Sequence, residues 1–482
     1  MNKEGMFRYI DENRVVLTDL SDKIWDYAET AFEEFRSAEL IMDTMKRSGF
    51  DVESGTGGIG TAFCATFGSG GPVIGILAEY DALSGLSQEA GAAERREAVQ
   101  CGNGHGCGHN LFAGGSVGAA IAVKRYIEEN KLPGVVKLFG CPGEEGGSGK
   151  AFMARSGVFN GLDAAFAWHP MSVNAILDMS MLANYQVLYK FKGVASHAAA
   201  APDKGRSALD AVELMNVGVN FLREHVIQEA RIHYAITNSG GFSPNVVQPY
   251  ADVLYLIRAP RSQQVEEIYQ RVNKIAHGAA MMTETEVEIR FVKACANIIP
   301  NKSLSAVLHE NLMLQDAPSY TEEELNLAAA IAKTSPGSAA ADVERYLKTH
   351  PESMKRCLKL LEGRPVCDIM LPFFPDDPDM LMPGSSDVGD VSWITPTAQV
   401  VTACYALGTP EHSWQLVSQG RTSIGHKGML LAAKVMAGAI ADALESPGII
   451  ENAKAELAER LGGETYRSAI PADVIPKAIS KL

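Results

Sequence analysis

The spacing of apolar and polar residues changes along the chain between a helical period and a strand period. Residues 4–50 place apolar side chains such as Trp25 and Phe32 at helical spacing, which predicts helices with one apolar face. Short apolar runs bounded by glycines follow at 61–67 and 72–78, and such runs are typical of β-strands. The chain is therefore expected to begin with helices and then to enter a sheet.

The next segment alternates between the same two patterns. Residues 110–128 are small and apolar and predict a helix packed against the sheet, whereas 135–140 and 164–168 read as short buried strands. Buried strands that alternate with helices are typical of an α/β domain with a largely parallel sheet. The fold class predicted for this part of the chain is α/β, with helices flanking a mixed sheet.

A different unit is predicted from residue 185 onwards. The pattern gives a strand, a helix, two strands, a helix and a strand, at 185–192, 207–226, 233–237, 253–258, 264–280 and 286–295. The order βαββαβ predicts a complete ferredoxin-like α+β unit of two layers. We expect this unit, residues 185–297, to be inserted between the two parts of a larger domain, 1–184 and 298–482, and its edges to serve self-association.

The last third of the chain returns to helices. Residues 318–376 are acidic and helical, and they are interpreted as an elaboration of the larger domain. A glycine and serine turn at 383–390 precedes a predicted strand at 400–403, and an alanine-rich helix is expected at 425–444.

Length and charge narrow the class of protein. A chain of 482 residues exceeds the usual size of one core, so two domains are expected. The formal net charge of −15 argues against nucleic acid or an anionic membrane as the main partner. The chain shows neither an apolar run long enough to span a membrane nor the apolar segment of a signal peptide, so a cytoplasmic protein with reduced cysteines is expected.

Side chains that can bind metal occur close to several of the predicted strands. Cys107 and His109 are two residues apart in a glycine-rich loop, Glu144 and Glu145 follow the strand 135–140, and His169 follows the strand 164–168. Because ligands of open α/β sheets gather at the carboxyl ends of strands, one active-site rim is expected to collect these groups. Thiolate, imidazole and carboxylate are ligands of divalent metals.

The adjacent carboxylates of Glu144 and Glu145 have different predicted roles. Neighbouring side chains of this kind do not both point at one atom, so one would bind metal and the other would remain free as a general base. Taken alone, His169 could equally be a structural histidine, and its proximity to the other groups favours the ligand interpretation.

Six motifs in this order resemble the metal-dependent amidohydrolases that include aminoacylases and auxin-conjugate hydrolases. The motifs are AEYDAL at 78–83, GHGCGHN at 104–110, PGEEGG at 142–147, WHP at 168–170, SHAAAAPDKGRSAL at 196–209 and PGSSDVGDVS at 383–392. The resemblance covers nearly the whole chain and includes the inserted βαββαβ unit. It implies a catalytic domain with an inserted dimerisation domain, and cleavage of amide bonds with two divalent ions per subunit, Mn²⁺ or Zn²⁺.

The resemblance also assigns roles to the metal-capable residues. It implies Cys107, His109, Glu145 and His169 as ligands and Glu144 as the general base. Other branches carry a His-x-Asp ligand motif where this chain has 79–81. Because that histidine is absent here, Asp81 is predicted to support a ligand from behind, and Glu79 has no secure role.

The last ligand is expected from a histidine near the C-terminus. Two candidates exist, His412 in a His-Ser context and His426 in a Gly-His-Lys context. We favour His412, because His426 opens a predicted helix where it could simply be solvated.

The inserted unit is implied to contribute to substrate binding. The resemblance makes His197 a donor to the reaction's oxyanion, which requires domain closure or a partner subunit, and it makes Arg258 with Asn245 a site for the substrate carboxylate. The implied substrates are N-acyl or N-aroyl amino acids, with p-aminobenzoyl-glutamate the specific expectation. The implied assembly is a homodimer or a heterodimer with a related A-type subunit.

Three other functions are compatible with the same fold. The chain could be a non-catalytic subunit that supports a related enzyme, a dipeptidase of the same family, or a protein that stores or senses metal. The presence of Glu144 and of all the expected ligands favours an enzyme. Bound metal without turnover of any N-acyl amino acid would instead indicate the supporting or the metal-storing function.

Overall fold

The computed structural model describes residues 1–478. The predicted second part of the larger domain, 298–482, includes residues 479–482, which lie outside the described residues. Among the helices of the described part, none is long and apolar enough to cross a membrane.

Helices supply most of the regular structure. They are α1 (Lys3–Glu12), α2 (Arg14–Tyr27), α3 (Phe35–Arg47), α4 (His109–Asn130), α5 (Glu144–Gly147), α6 (Gly149–Arg155), α7 (Ala208–Leu222), α8 (Ser262–Thr283), α9 (Lys302–Met313), α10 (Glu322–Ala332), α11 (Ala339–Leu347), α12 (Pro351–Leu360), α13 (Val388–Ser392), α14 (Trp414–Gln419), α15 (Ser423–Glu445) and α16 (Pro447–Leu461).

Within residues 1–478 the strands form three sheets. They are β1 (Asp51–Ser54), β2 (Phe63–Ser69), β3 (Val73–Ala78), β4 (Gly134–Gly140), β5 (Ala164–Met171), β6 (Ala175–Ile176), β7 (Met179–Met181), β8 (Ala183–Lys192), β9 (Arg231–Asn238), β10 (Tyr250–Ala259), β11 (Glu286–Cys295), β12 (Met380–Met382) and β13 (Thr397–Ala403). The sheet orders are β1-β2-β4-β3-β5-β13-β6, β11-β8-β10-β9 and β12-β7.

The middle of the large sheet is parallel and largely buried. Strands β4, β3, β5 and β13 run in one direction, and their residues are mostly apolar on both faces, as expected where helices cover the two sides. Helix α4 packs on this sheet through small residues. A Cβ added at Gly115 would lie only 2.7 Å from the ring of Trp168, so only glycine allows this close approach. The carboxyl ends of the parallel strands consequently meet at one edge.

The second sheet belongs to a two-layer unit with the predicted order βαββαβ. Strand β8 lies in its middle and pairs antiparallel with β10 and β11. Apolar side chains of one face pack against α7 and α8, where the hydroxyl groups of Tyr189 and Tyr255 donate to Asn273 and Asn216 at 2.7 and 2.5 Å. The role of this unit in dimerisation stays a prediction.

The mixed α/β fold with flanking helices is confirmed, and two details of the predicted elements are wrong. Strand β5 does not end at Trp168 but continues through His169 to Met171, because β13 pairs with it over that length. The glycine and serine segment at 383–390 is not entirely a turn, since α13 begins at Val388. The acidic segment 318–376 forms α10, α11 and α12, and the latter two pack near the β13 edge of the sheet.

Candidate metal centre

The pair Cys107 and His109 is held at the first turn of α4. Gly108 lies between them in the left-handed conformation, with φ of 77°. A Cβ at this position would collide with the hydroxyl group of Tyr405, so glycine is required for both conformation and space. The turn presents the thiol of Cys107 and the ring of His109 to the same edge of the sheet.

Asp81 supports the site from behind. One of its carboxylate oxygens lies 2.9 Å from Nδ1 of His109, and the other accepts the backbone N–H of Glu145 at 2.9 Å. In this bond Nδ1 donates its proton to Asp81, so Nε2 is the ring nitrogen that a metal could bind in place of a proton. Asp81 therefore positions two candidate ligands from different strand ends.

His169 faces the same point. Its Nδ1 donates to the carbonyl oxygen of Pro170 at 3.0 Å, and its Nε2 lies 3.4 Å from Sγ of Cys107. This arrangement again leaves Nε2 without its own proton and directed at the thiol.

Two groups of potential ligands share the thiol of Cys107. Cys107, His109 and His169 form the first group, and Cys107, Glu145 and His412 form the second, with the ligand atoms of each within 4.8 Å of one another. Nε2 of His412 lies 3.3 Å from a carboxylate oxygen of Glu145. As a thiolate, Cys107 could therefore serve as a ligand in either group.

The chemistry of the donor atoms fits bound cations. Oε1 of Glu145 is buried and has no hydrogen-bond partner among the described residues, and Nε2 of His109 is buried with only a carboxylate ion-pair contact, to Glu79 at 3.1 Å. A buried polar atom without a hydrogen bond is costly unless a ligand satisfies it. Burial alone would lower the pKa of His109, but Glu79 and Asp81 raise it to about 10. The surrounding carboxylates therefore favour positive charge at this position.

Glu144 lies outside the two groups that share Cys107, but it forms a third group of potential ligands with Glu79 and His109. Burial raises the pKa of its carboxyl well above the usual value, and the carboxylates of Glu79 and Asp387 act in the same direction. Glu144 starts the short helix α5 next to Glu145, and of these two neighbours only Glu145 belongs to a group that contains Cys107.

Glu79 belongs to a buried ion network. Nζ of Lys150 lies 2.6 Å from Oε1 of Glu79 and 2.6 Å from Oδ1 of Asp387, and the lysine side chain is completely buried. The other oxygen of Glu79 lies 3.1 Å from Nε2 of His109. Lys150 thus neutralises carboxylates directly behind the centre.

The centre opens into a cavity of about 300 Å³ between the large sheet and the inserted unit. Strands β8, β10 and β11 line one side of it with Asn184, Gln186, Arg258 and Lys293. The segment 318–376 also reaches the cavity, because α11 contributes Arg345. The guanidinium of Arg345 pairs with Glu411 at 2.7 Å.

Three residues named from the sequence lie elsewhere. His197 is exposed on the inserted unit, where its Nδ1 accepts the backbone N–H groups of Ala199 and Ala200 at 3.2 and 3.1 Å. Asn245 is also exposed, and its carbonyl oxygen accepts the N–H of Ala198 at 2.9 Å. His426 lies 2.8 Å from Asp22, away from the ligand groups. His197 and Asn245 are therefore neighbours, but neither lines the cavity of its own chain.

A sequence model described as Peptidase family M20/M25/M40 matches residues 75–362, which include the candidate ligands at 107, 109, 145 and 169 and the inserted unit. The chain belongs to this peptidase family. As an M20-type peptidase it is a hydrolase that acts on amide bonds.

Relatives support the same family assignment. The chain is 47% identical over 481 residues to the B-type subunit of p-aminobenzoyl-glutamate hydrolase from Escherichia coli, with 99% of this chain and 100% of the relative covered. It is 33% identical to mouse Xaa-Arg dipeptidase over 63% of this chain and 69% of that protein. A dinuclear metal-binding M20 peptidase from Bacillus subtilis has the same fold, with a TM-score of 0.55, 16% identity, and 90% and 99% coverage.

Sequence reasoning missed several side chains of the site. Lys150 is a single cation in a run of small residues, and Asp387 lies in a motif to which the resemblance gave no chemical role. Lys293 interrupts the alternation of its strand. Polar residues occupy 286, 288 and 290, but the next one is at 293 rather than 292. This break in the alternation indicates a β-bulge in the strand.

Proposed function

We propose that this M20 peptidase hydrolyses the amide bond of an N-acyl or N-aroyl amino acid, with p-aminobenzoyl-glutamate as the substrate and p-aminobenzoate and glutamate as the products. The observation that carries the proposal is the pair of ligand groups that share Cys107, with the carboxylate of Glu144, which belongs to neither, lining the same cavity. The name of the E. coli relative, which this chain matches over its full length, supports the choice of substrate.

Two divalent ions, Mn²⁺ or Zn²⁺, are the proposed cofactors. Cys107, His109 and His169 would hold one ion, and Cys107, Glu145 and His412 the other. Bound there, the ions would supply Lewis-acid charge that polarises the scissile carbonyl and makes water more acidic. His412 is preferred to His426 because only His412 lies beside Glu145.

Glu144 is proposed to move the proton. Its carboxylate would accept a proton from the attacking water and later return it to the nitrogen of the leaving amino acid. Its burial next to Glu145 supports this role, because a carboxylate held in a water-poor site binds a proton more readily than one in solvent.

The cavity offers complementary surfaces for the two halves of the substrate. Arg258 would bind the α-carboxylate, since its buried Nε has no partner in the described part of the chain. Apolar side chains would pack against the aroyl ring, and they are those of Met171, Leu177, Met181, Leu256 and Met382. Aromatic ligands are commonly held by such apolar walls with a few polar groups for orientation.

A second subunit is proposed to complete the site. His197 and Asn245 adjoin each other on the exposed part of the inserted unit, outside the cavity of their own chain. A partner chain, or closure of the inserted unit, would bring His197 to the oxyanion and Asn245 to the substrate carboxylate. The partner would be a second copy or a related A-type subunit, as the word subunit in the relative's name suggests. A cytoplasmic location is part of the proposal, and all eight cysteines are free.

The test is turnover by the purified chain after metal removal and reloading with Mn²⁺ or Zn²⁺. We expect hydrolysis of p-aminobenzoyl-glutamate, measured by the release of p-aminobenzoate, with about two ions bound per chain. A panel of other N-acyl amino acids and dipeptides tests the substrate class. Two bound ions without hydrolysis of any compound, alone or with a related subunit, would overturn the proposal.

A further inference from the structure

Strand β11 carries a bulge that turns one lysine into the cavity. Phe291 pairs with Val187 of β8, yet the next paired residue is Lys293, opposite Gln186. In a regular strand Val292 would face Gln186, and Lys293 would point at the helices on the other side. The extra residue therefore places a cation where the uninterrupted pattern would place valine, and bulges of this kind often re-aim side chains beside active sites.

Lys293 is buried without a partner. Its side chain is only 7% exposed, and within residues 1–478 it makes neither an ion pair nor a side-chain hydrogen bond. A buried ammonium group has three donors, and burying it with none of them used is unfavourable. Cys295, the next residue on the same face, does not balance this charge, because burial raises the pKa of its thiol. An anionic ligand in the cavity could therefore pair with the ammonium group of Lys293.

Some cationic side chains around the cavity are already paired with carboxylates of the chain, and others are free to bind an anionic ligand. Arg345 is paired with Glu411, and Lys150 lies between Glu79 and Asp387. Arg258 and Lys293 remain, and both line the cavity. Free cations therefore come from two different strands of the inserted unit.

Arg258 and Lys293 lie on the same face of the sheet, but they are opposite different residues of β8. Arg258 is opposite Asn184, Lys293 is opposite Gln186, and β8 runs between their strands. Strand geometry separates their backbones by about 10 Å across the sheet and about 7 Å along it, a span that two long side chains can bridge toward one small ligand. The side-chain amide of Gln186 makes no hydrogen bond to any described residue and adds a donor beside Lys293.

We propose that Lys293, assisted by Gln186, binds a second carboxylate of the substrate, so that the site selects N-acyl derivatives of a dicarboxylic amino acid. This inference rests on the proposed function, in which Arg258 binds the α-carboxylate. Lys293 determines specificity and takes no part in the proton transfer assigned to Glu144. Its removal should therefore weaken binding of the substrate more than it slows the chemical step.

The test compares p-aminobenzoyl-glutamate with p-aminobenzoyl-glutamine, which has the same shape but an uncharged side chain. The wild-type chain should prefer the glutamate compound by about 100-fold in kcat/KM, the range expected for a buried charge pair. In Lys293→Met this preference should fall to within a few-fold, mainly through a higher KM for the glutamate compound. Arg290→Met is the matched control, because Arg290 lies on the same strand but pairs with Glu288 in solvent.

A binding measurement separates this inference from the proposed reaction. Calorimetry on the metal-loaded Glu144→Gln protein should give the same discrimination between the two compounds, and Lys293→Met should abolish it without any need for turnover. Discrimination in binding with no hydrolysis by the wild type would overturn the reaction and uphold the carboxylate site. The carboxylate site would be overturned if the Glu144→Gln protein with Lys293 intact bound both compounds equally. It would also be overturned if Lys293→Met weakened the binding of both compounds by the same factor.

Discussion

Sγ of Cys107 and Nε2 of His169 lie 3.4 Å apart, although 62 residues separate them in the chain. The same thiol also belongs to the group of Glu145 and His412. Cys107 is therefore the one candidate ligand common to both groups, whereas His169 and His412 each belong to one.

Replacement of Cys107 should affect metal binding more than replacement of either histidine. We expect Cys107→Ala to lose most of both ions, since each group would keep only two ligands, while His169→Ala and His412→Ala mainly weaken one ion each. Metal content after dialysis against a weak chelator measures this difference. Full metal content in Cys107→Ala would remove the thiol from the ligand set.

Glu144→Gln should separate metal binding from catalysis. The amide keeps the size of the side chain but cannot accept the proton, so kcat should fall by about 100-fold or more while metal content stays near that of the wild type. Glu145→Gln is the paired control, and it should lose metal. The opposite pattern would exchange the roles of Glu144 and Glu145.

Mixing two inactive variants tests whether His197 acts in a partner's site. After chain exchange between Glu144→Gln and His197→Ala, one site of each mixed dimer would contain both intact groups, so part of the activity should return. Exchange of two differently tagged Glu144→Gln preparations is the control and should restore nothing. A lack of recovery in dimers shown to have exchanged would exclude action across the interface.

The buried ion network should contribute strongly to stability. Lys150→Met would remove the buried cation between Glu79 and Asp387, and breaking such a buried pair costs about 3–5 kcal/mol in the free energy of unfolding. The double variant Lys150→Met with Asp387→Asn should be less destabilised than Lys150→Met alone, because one carboxylate is then neutral. Urea unfolding measures both changes, and unchanged stability in Lys150→Met would contradict the network's importance.

Asp390 should make stability depend on pH. Burial raises the pKa of this carboxyl to about 7, while Tyr466 and the backbone N–H of Ala296 hydrogen bond to it at 2.7 and 3.0 Å. The folded chain therefore binds this proton more tightly than the unfolded chain. The resulting stabilisation is present below about pH 4 and is lost as the pH rises toward 7.

The variant Asp390→Asn removes this titration. Its free energy of unfolding, relative to the wild type, should rise by a few kcal/mol, an order-of-magnitude value, between about pH 4 and pH 7.5. Asp43→Asn, an exposed carboxylate on α3, should show no such trend. A constant difference for Asp390→Asn across this range would contradict the shifted pKa.

The sequence was sufficient for features that local patterns encode. Period-two and helical spacings predicted the order of the inserted βαββαβ unit. Its strands and helices each have one apolar face that packs in the core and one more polar face, so the spacing of apolar residues shows the type of each element. The Cys-Gly-His spacing identified the candidate pair 107 and 109, and Gly108 between them has the left-handed conformation that glycine favours.

Features that depend on long-range pairing were not predictable in the same way. The extension of β5 through His169 depends on β13, whose residues lie more than 220 positions later. Arg345 reaches the cavity only because α11 packs beside that strand, and no local pattern indicates this contact. The alternating pattern of 286–295 predicts a regular strand, whereas the break in the alternation at Lys293 corresponds to a bulge.

The pairing of β5 with β13 means that the large sheet cannot be completed until late in the synthesis of the chain. Residues 107–169 leave the ribosome early, yet the strand that completes their sheet, 397–403, comes after the whole inserted unit. The inserted unit has its own four-stranded sheet and can form first, since units of this kind fold as they are synthesised. During synthesis the early half of the sheet would expose an unpaired β5 edge until β13 arrives, so protection of the nascent chain matters most in this interval.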